Sequence, residues 1–213
     1  MSSLSNYLKD LKQAVTVEED EYVWSERLHK SAHHLLAAIC FRENSQAIWE
    51  STNTILLPPI GFYYSVFHLS MAALSIDYQT QLDELTKIKH QKLKKYIQER
   101  LIQKTLLPNS YLETFQGLQD MREYANYSFG KKIPKYDFMK IGDSFYTITE
   151  EAFNLVIDLI HNMQKTIENS NSSWLTIQAA IGDGFGDDLM RIYLPKELEE
   201  KVVSFLIEKN LTT

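Results

Sequence analysis

Apolar positions recur along this chain at helical spacing, and they lay out most of its architecture. Leu4, Leu8, Leu11 and Val15 mark a short amphipathic helix ahead of an acidic break at Glu18–Glu21. Leu28, Ala32, Leu35 and Ile39 then advance by four, three and four, one face of a helix from about residue 21 to 43. Asn53, Pro58 and Pro59 interrupt it. A proline pair suits a helix entrance, because the first turn has no internal partner for the N–H that proline lacks. Ile60, Tyr64, Phe67, Met71 and Leu74 predict a second long helix, rich in aromatics and so placed at the core. A polar helix is expected over 82–104. Ser110 with Glu113 has the pattern of a capping box and opens the next helix. Its stripe is Leu112, Phe115, Leu118, Met121 and Ala125, and Gly130 and Pro134 end it. Phe145, Ile148, Ala152, Leu155, Leu159 and Met163 mark a last long helix to about residue 168.

The pattern changes after 169–173. Trp174–Ile181 and Leu189–Leu194 read as two short strands around the glycine-rich turn Gly182–Gly186. Pro195 then opens a terminal amphipathic helix with Val202, Val203, Leu206 and Ile207. The expected fold is mainly α: an antiparallel bundle of four or five long helices over 1–169, then a small C-terminal β-hairpin plus helix over 170–213. That tail packs on the bundle or on a partner.

Composition narrows the class. The chain has 213 residues, 44% hydrophobic and 23% charged, enough for a sizeable core. Its single cysteine, Cys40, excludes an internal disulfide framework, fits a reducing compartment, and reads as a buried apolar thiol among Leu35, Leu36, Ile39 and Phe41. The opening MSSLSNYLKDLKQ lacks the apolar run of a signal peptide, and no stretch approaches the length of a membrane span, so a cytoplasmic location is expected. Charge is uneven. The net −6 comprises +6 between Lys87 and Lys104 (Lys87, Lys89, Lys92, Lys94, Lys95, Arg100 and Lys104 against Glu99) and −12 elsewhere. Lys131, Lys132, Lys135 and Lys140 form a second basic group. Such clusters attract a polyanion, or else they are a solvated helix face.

Three stretches carry a resemblance. They are GFYYSVFHLSMAAL from Gly61 to Leu74, Lys89-His90, and MREYANY from Met121 to Tyr127. In this order and spacing they resemble the HEPN superfamily of helical nucleotide-binding and ribonuclease domains, over about residues 21 to 168. The resemblance implies a homodimeric helical bundle, metal-independent RNA cleavage in active members, and roles in toxin–antitoxin pairs or phage defence. It further implies RNA and a nucleotidyltransferase-type protein as partners, with no cofactor. Active members pair an Arg with a His four to six residues later. Here Arg122 takes the Arg position and Tyr127 stands where the motif has His. A phenol with a pKa near ~10 is a poor base.

Candidate site residues follow. Arg122 offers a planar, always-charged fork for a phosphate; the alternative is an ion pair or carbonyl clamp within the bundle. Asn126, four residues on, shares its helix face, whereas Tyr127 lies ~140° round. His68 follows Tyr64 by one turn and replaces the missing base if that stripe faces Arg122; otherwise it is a hydrogen-bonded core histidine. Lys87, Lys89, Lys92, Lys94, Lys95, Lys131 and Lys132 are the expected RNA-contacting cations. His29 and His33 have a metal-compatible spacing but no clear third ligand, so no metal site is expected. The turn Gly182–Asp188 lacks both the carboxylate spacing of an EF-hand and the Lys-Ser/Thr of a P-loop. Two functions remain: an RNA- or nucleotide-binding HEPN-like module, active or weak as a ribonuclease, and a catalytically inactive dimerisation module.

Overall fold

The computed structural model describes residues 3–15, 18–52, 54, 56–127, 141–168, 175–186 and 196–212. Nearly all of them are helical. α1 spans Ser3–Ala14, α2 Glu18–Thr52, α3 Pro58–Ile76, α4 Leu82–Leu85 and α5 His90–Tyr96, the last running into a π-helical segment Ile97–Ile102. α6 spans Asn109–Tyr127, α7 Ile141–Glu168, α8 Ile177–Gly186 and α9 Lys196–Glu208.

α3 is the central rod, packed by α2, α6 and α7. It starts on the proline pair, with Pro58 and Pro59 in its first turn. It is apolar nearly all round, which marks a buried helix. Phe62, Tyr63, Val66, Leu69 and Leu74 are fully buried. The expected stripe is therefore only half right: Ile60, Tyr64 and Phe67 are half-exposed, because periodicity selects no face on a helix without a polar side. α3 is also long and apolar enough to cross a membrane by length and composition, contrary to the reading that no stretch approaches that length. Most of that stretch lies buried inside the fold.

α2 and α3 form an antiparallel hairpin. Ser45, late in α2, lies against Gly61, early in α3, where any Cβ would collide with Ser45 Oγ. At the other end Arg27 of α2 caps the C-terminus of α3. Its guanidinium donates to the carbonyls of Ser75 (3.0 Å), Asp77 (3.0 Å), Tyr78 (3.3 Å) and Thr80 (2.9 Å). α6 also runs antiparallel to α3: Tyr111 meets Ser70 across a 2.9 Å hydroxyl contact, and eleven residues later Arg122 meets Tyr63. Leu28, Ala32, Leu35 and Ile39, the predicted face of α2, are all fully buried.

Several boundaries move. α2 is longer at both ends than expected. The polar helix over 82–104 breaks into α4, α5 and the π-helical segment. α6 begins at Asn109, so Ser110 lies inside the first turn and not at the cap. Gly130 and Pro134 lie outside the described residues.

The expected β-hairpin is contradicted. No strand occurs among the described residues, and Ile177–Gly186, which includes the expected glycine turn, is α8. The reason is burial at helical spacing: Ile177, Ala180 and Ile181 all face the core. Gln164 of α7 secures the start of α8 by accepting the Ile177 N–H at 2.8 Å. The second expected strand, Leu189–Leu194, lies outside the described residues. α9 docks through Val202, Phe205 and Leu206, while Ile207 stays exposed. Phe205 joins Tyr146 and Phe153 around the buried Arg42 guanidinium, each ring 4.2–4.8 Å from Cζ. Arg42 is neutralised by Glu43 at 2.8 Å.

Candidate functional site

The N-terminal half of α3 displays Tyr63, Tyr64, Phe67 and His68 towards α2, α5 and α6, and these side chains build the candidate site. Arg122, half-buried on α6, lays its guanidinium 5.0 Å from the Tyr63 ring centroid and 6.0 Å from that of Tyr64. Ring faces attract a cation, so the two tyrosines hold the fork without neutralising it. Arg122 Nε is buried and has no hydrogen-bond partner among the described residues. That nitrogen makes no contact of the kind Arg27 makes with backbone carbonyls. A guanidinium held by rings and left short of an acceptor is poised for an anion.

The imidazole nearest this arginine in its electrostatic effect is His90, the first residue of α5. Its Nδ1 shares a 2.9 Å hydrogen bond with the Tyr63 hydroxyl. Its ring packs 4.7 Å from Phe67 and 5.5 Å from Tyr64. Burial, then the positive charge of Arg122, holds His90 below the usual histidine range, so the ring is neutral at pH 7. Burial outweighs Arg122 at Tyr63 and pushes its hydroxyl up to about 12. In the tautomer that carries its proton on Nδ1 and donates it to the Tyr63 oxygen, His90 has a lone pair on Nε2, the form a general base requires.

Sequence reasoning placed His90 only on a basic helix and in the Lys89-His90 step of the resemblance. The base it sought was His68. His68 instead packs towards α2, where its Nδ1 meets His34 Nδ1 at 3.0 Å, one ring donating to the other. Burial first, and then His90 for His68 and His68 for His34, pushes both down to about 4. Each is a neutral histidine at pH 7, and the rings packed against Arg122 among the described residues are those of Tyr63 and Tyr64. Asn126 and Tyr127 occupy the last turn of α6 and are exposed, Tyr127 by 75%. Neither belongs to the ring cluster.

The basic segment borders the site through His90. Lys89 precedes it at the cap of α5, and Lys89, Lys92 and Lys94 are exposed. Lys87 and Lys95 are exposed too, each within 4 Å of a carboxylate one turn away, Asp83 and Glu99. Such surface pairs are weak and give way to a polyanion. Lys131, Lys132, Lys135 and Lys140 lie outside the described residues. His29 uses both ring nitrogens, Nδ1 on the Ser25 carbonyl and Nε2 on Asp183 at 3.1 Å. Among the described residues no three metal-ligating side chains come together. Cys40 is buried, and burial pushes its thiol up to about 12, the state of an inert core cysteine.

On the other side of Tyr64 and His68 lies a groove of about 700 Å³ between α2 and the start of α3. Its walls are mostly apolar, among them Leu36, Cys40, Phe41, Ile48 and Ile60. No family model matches the chain, and neither does any curated protein or solved structure.

Proposed function

We propose that this chain is a HEPN-like RNA-binding module of the toxin–antitoxin or phage-defence type, whose Arg122–His90 pair handles the phosphodiester. The observation that carries this reading is the state of Arg122, held against two tyrosine rings with an unpartnered Nε and a neutral imidazole in the same cluster. Arg122 grips the phosphate and neutralises the charge that builds on it. His90 Nε2 takes the proton of the adjacent 2′-hydroxyl, which attacks phosphorus. The bond to the 5′-oxygen breaks, that oxygen receives the proton from the imidazolium, and a 2′,3′-cyclic phosphate remains. The chemistry needs no metal, since arginine supplies the positive charge and histidine the proton transfer. Exposed lysines of the 87–95 stretch raise the local RNA concentration and make binding fall with salt.

The test is RNA binding and cleavage in EDTA with the intact chain, Arg122→Ala and His90→Gln. Arg122→Ala is expected to weaken binding about tenfold, the loss of one charge-assisted contact. His90→Gln is expected to retain binding and lose cleavage. Binding indifferent to Arg122 sinks the proposal and leaves the dimerisation module.

A further inference from the structure

The α2–α3 groove is not used by the phosphodiester chemistry, and its makeup constrains what enters it. Its volume of about 700 Å³ falls in the usual range of small-molecule sites. Among the described residues no Lys, Arg, Asp or Glu lines it. Three of the polar side chains that do, Ser45, Asn44 and His68, are already engaged, and His33 and Tyr64 complete the polar lining. Ser45 Oγ donates to the Phe41 carbonyl at 2.6 Å, and Asn44 Nδ2 donates to the Cys40 carbonyl at 2.9 Å. His68 is engaged with His34. An ionic ligand would lose hydration here and meet no carboxylate, ammonium or guanidinium in the described lining, which is a large unfavourable contribution. An apolar ligand loses nothing and covers exposed hydrocarbon, including Leu57 at the rim, 57% exposed, and Phe41, 37% exposed.

The size of the lining also discriminates among occupants. The surface it offers is far smaller than the roughly 800 Å² per partner of a stable protein interface, so a second copy seated here alone would not hold. A compact hydrocarbon fits that area.

We infer that the groove between α2 and the first turns of α3 binds an uncharged, apolar small molecule, with Phe41, Tyr64 and His68 forming one wall. Those rings lie in near-parallel contact, Phe41 with His68 at 5.4 Å and 11° and with Tyr64 at 5.3 Å and 25°. The shared chemistry is hydrocarbon, met by a fused aromatic ring system or by a medium alkyl chain. This inference does not rest on the RNA reading; its site is the opposite side of Tyr64.

The experiment titrates the full chain with 1-aminoanthracene, followed by its fluorescence, and then displaces it with 1-decanol or with naphthalene. Displacement by decanol identifies a chain site, and displacement by naphthalene alone identifies a ring site. Two variants keep the result interpretable. Ala37→Trp fills the groove, and Leu57→Arg places a charge at an already exposed rim position where the fold tolerates it. Each is expected to weaken probe binding about tenfold or more, while Tyr127→Ser leaves it unchanged. Bound ligand is further expected to move the ring-proton resonances of His68 and to leave those of His161 in place. The inference is overturned if the probe fails to bind, or if it binds the two groove variants as tightly as the parent. It is overturned equally if His68 does not respond. Sedimentation supplies a last outcome: a dimer that becomes monomeric in Leu57→Arg, with the probe binding only the monomer, assigns the groove to a second copy and also overturns it.

Discussion

The two ends of α3 each gather an arginine, tyrosines and further polar groups, yet they differ in how completely those groups are matched. At the C-terminal end Asp77 is fully buried and accepts from Tyr7 at 2.6 Å, from Thr80 Oγ1 at 2.6 Å and from the Gln79 N–H at 3.3 Å, with Lys104 3.4 Å away. Arg27 caps four carbonyls beside it. Burial, followed by Asp77, pushes the Tyr7 hydroxyl far up, so it stays a donor at every accessible pH. At the N-terminal end Arg122 has rings where Arg27 has carbonyls. His90 is neutral, and two histidines share one hydrogen bond. A closed polar network stabilises the fold and rejects ligands. An incomplete one, bordered by a groove, is where ligands enter.

Breaking the closed end should have the largest effect. Arg27→Met leaves buried carbonyls without donors beside a buried carboxylate, and an unfolding free energy lower by about 3–5 kcal/mol is expected in urea titrations. RNA affinity corrected for the folded fraction should stay as it was. An equal loss of affinity would erase the distinction between the two ends.

Acid should act on the open end. His34 and His68 titrate near 6.5 when unfolded and at about 4 in the fold. The unfolded chain therefore binds protons first as pH falls. The stability is intact above pH 6.5 and is lost progressively as pH drops towards 4. The loss for this coupled pair is on the order of 3 kcal/mol. Urea midpoints at pH 7 and pH 5 measure it, and His34→Phe combined with His68→Phe should flatten the profile in that window.

Smaller effects sharpen the comparison further. Tyr63→Phe removes one hydrogen bond and should change stability by only about 1 kcal/mol. It also frees the His90 tautomer, so RNA cleavage should fall more than binding does, a split that single-turnover assays resolve. Tyr127→Ser, at an exposed position, is expected to shift stability by less than ~0.5 kcal/mol and to leave RNA binding unchanged. A Tyr127 variant that lost RNA binding as Arg122→Ala does would return the motif's His position to the site.

Local pattern made the long helices legible. The face of α2 follows from apolar spacing, the expected α7 stripe is buried at Phe145, Ala152, Leu159 and Met163 but not at Ile148 and Leu155, and the proline pair announced the start of α3. Where a helix is apolar all round, spacing carries no direction, so of the expected α3 stripe Met71 and Leu74 lie in the core while Ile60, Tyr64 and Phe67 stay half-exposed. In the tail, a short apolar run flanking glycines reads equally as strand or helix, and the Gln164 side chain, distant in sequence, capped Ile177 and favoured the helix.

The arginine of the site was visible within its own helix, but its histidine was sought within six residues and on the α3 stripe. His90 comes instead from a separate short helix, brought to Arg122 by the antiparallel packing of α6 on α3 and joined to it through Tyr63. Residue type and helical period are properties of neighbours along the chain, and they specified where the bundle's rods begin and which side chains can carry charge. Which imidazole meets which guanidinium depends on contacts between distant segments, and on the burial that sets their protonation. Those contacts exist only once the helices have packed.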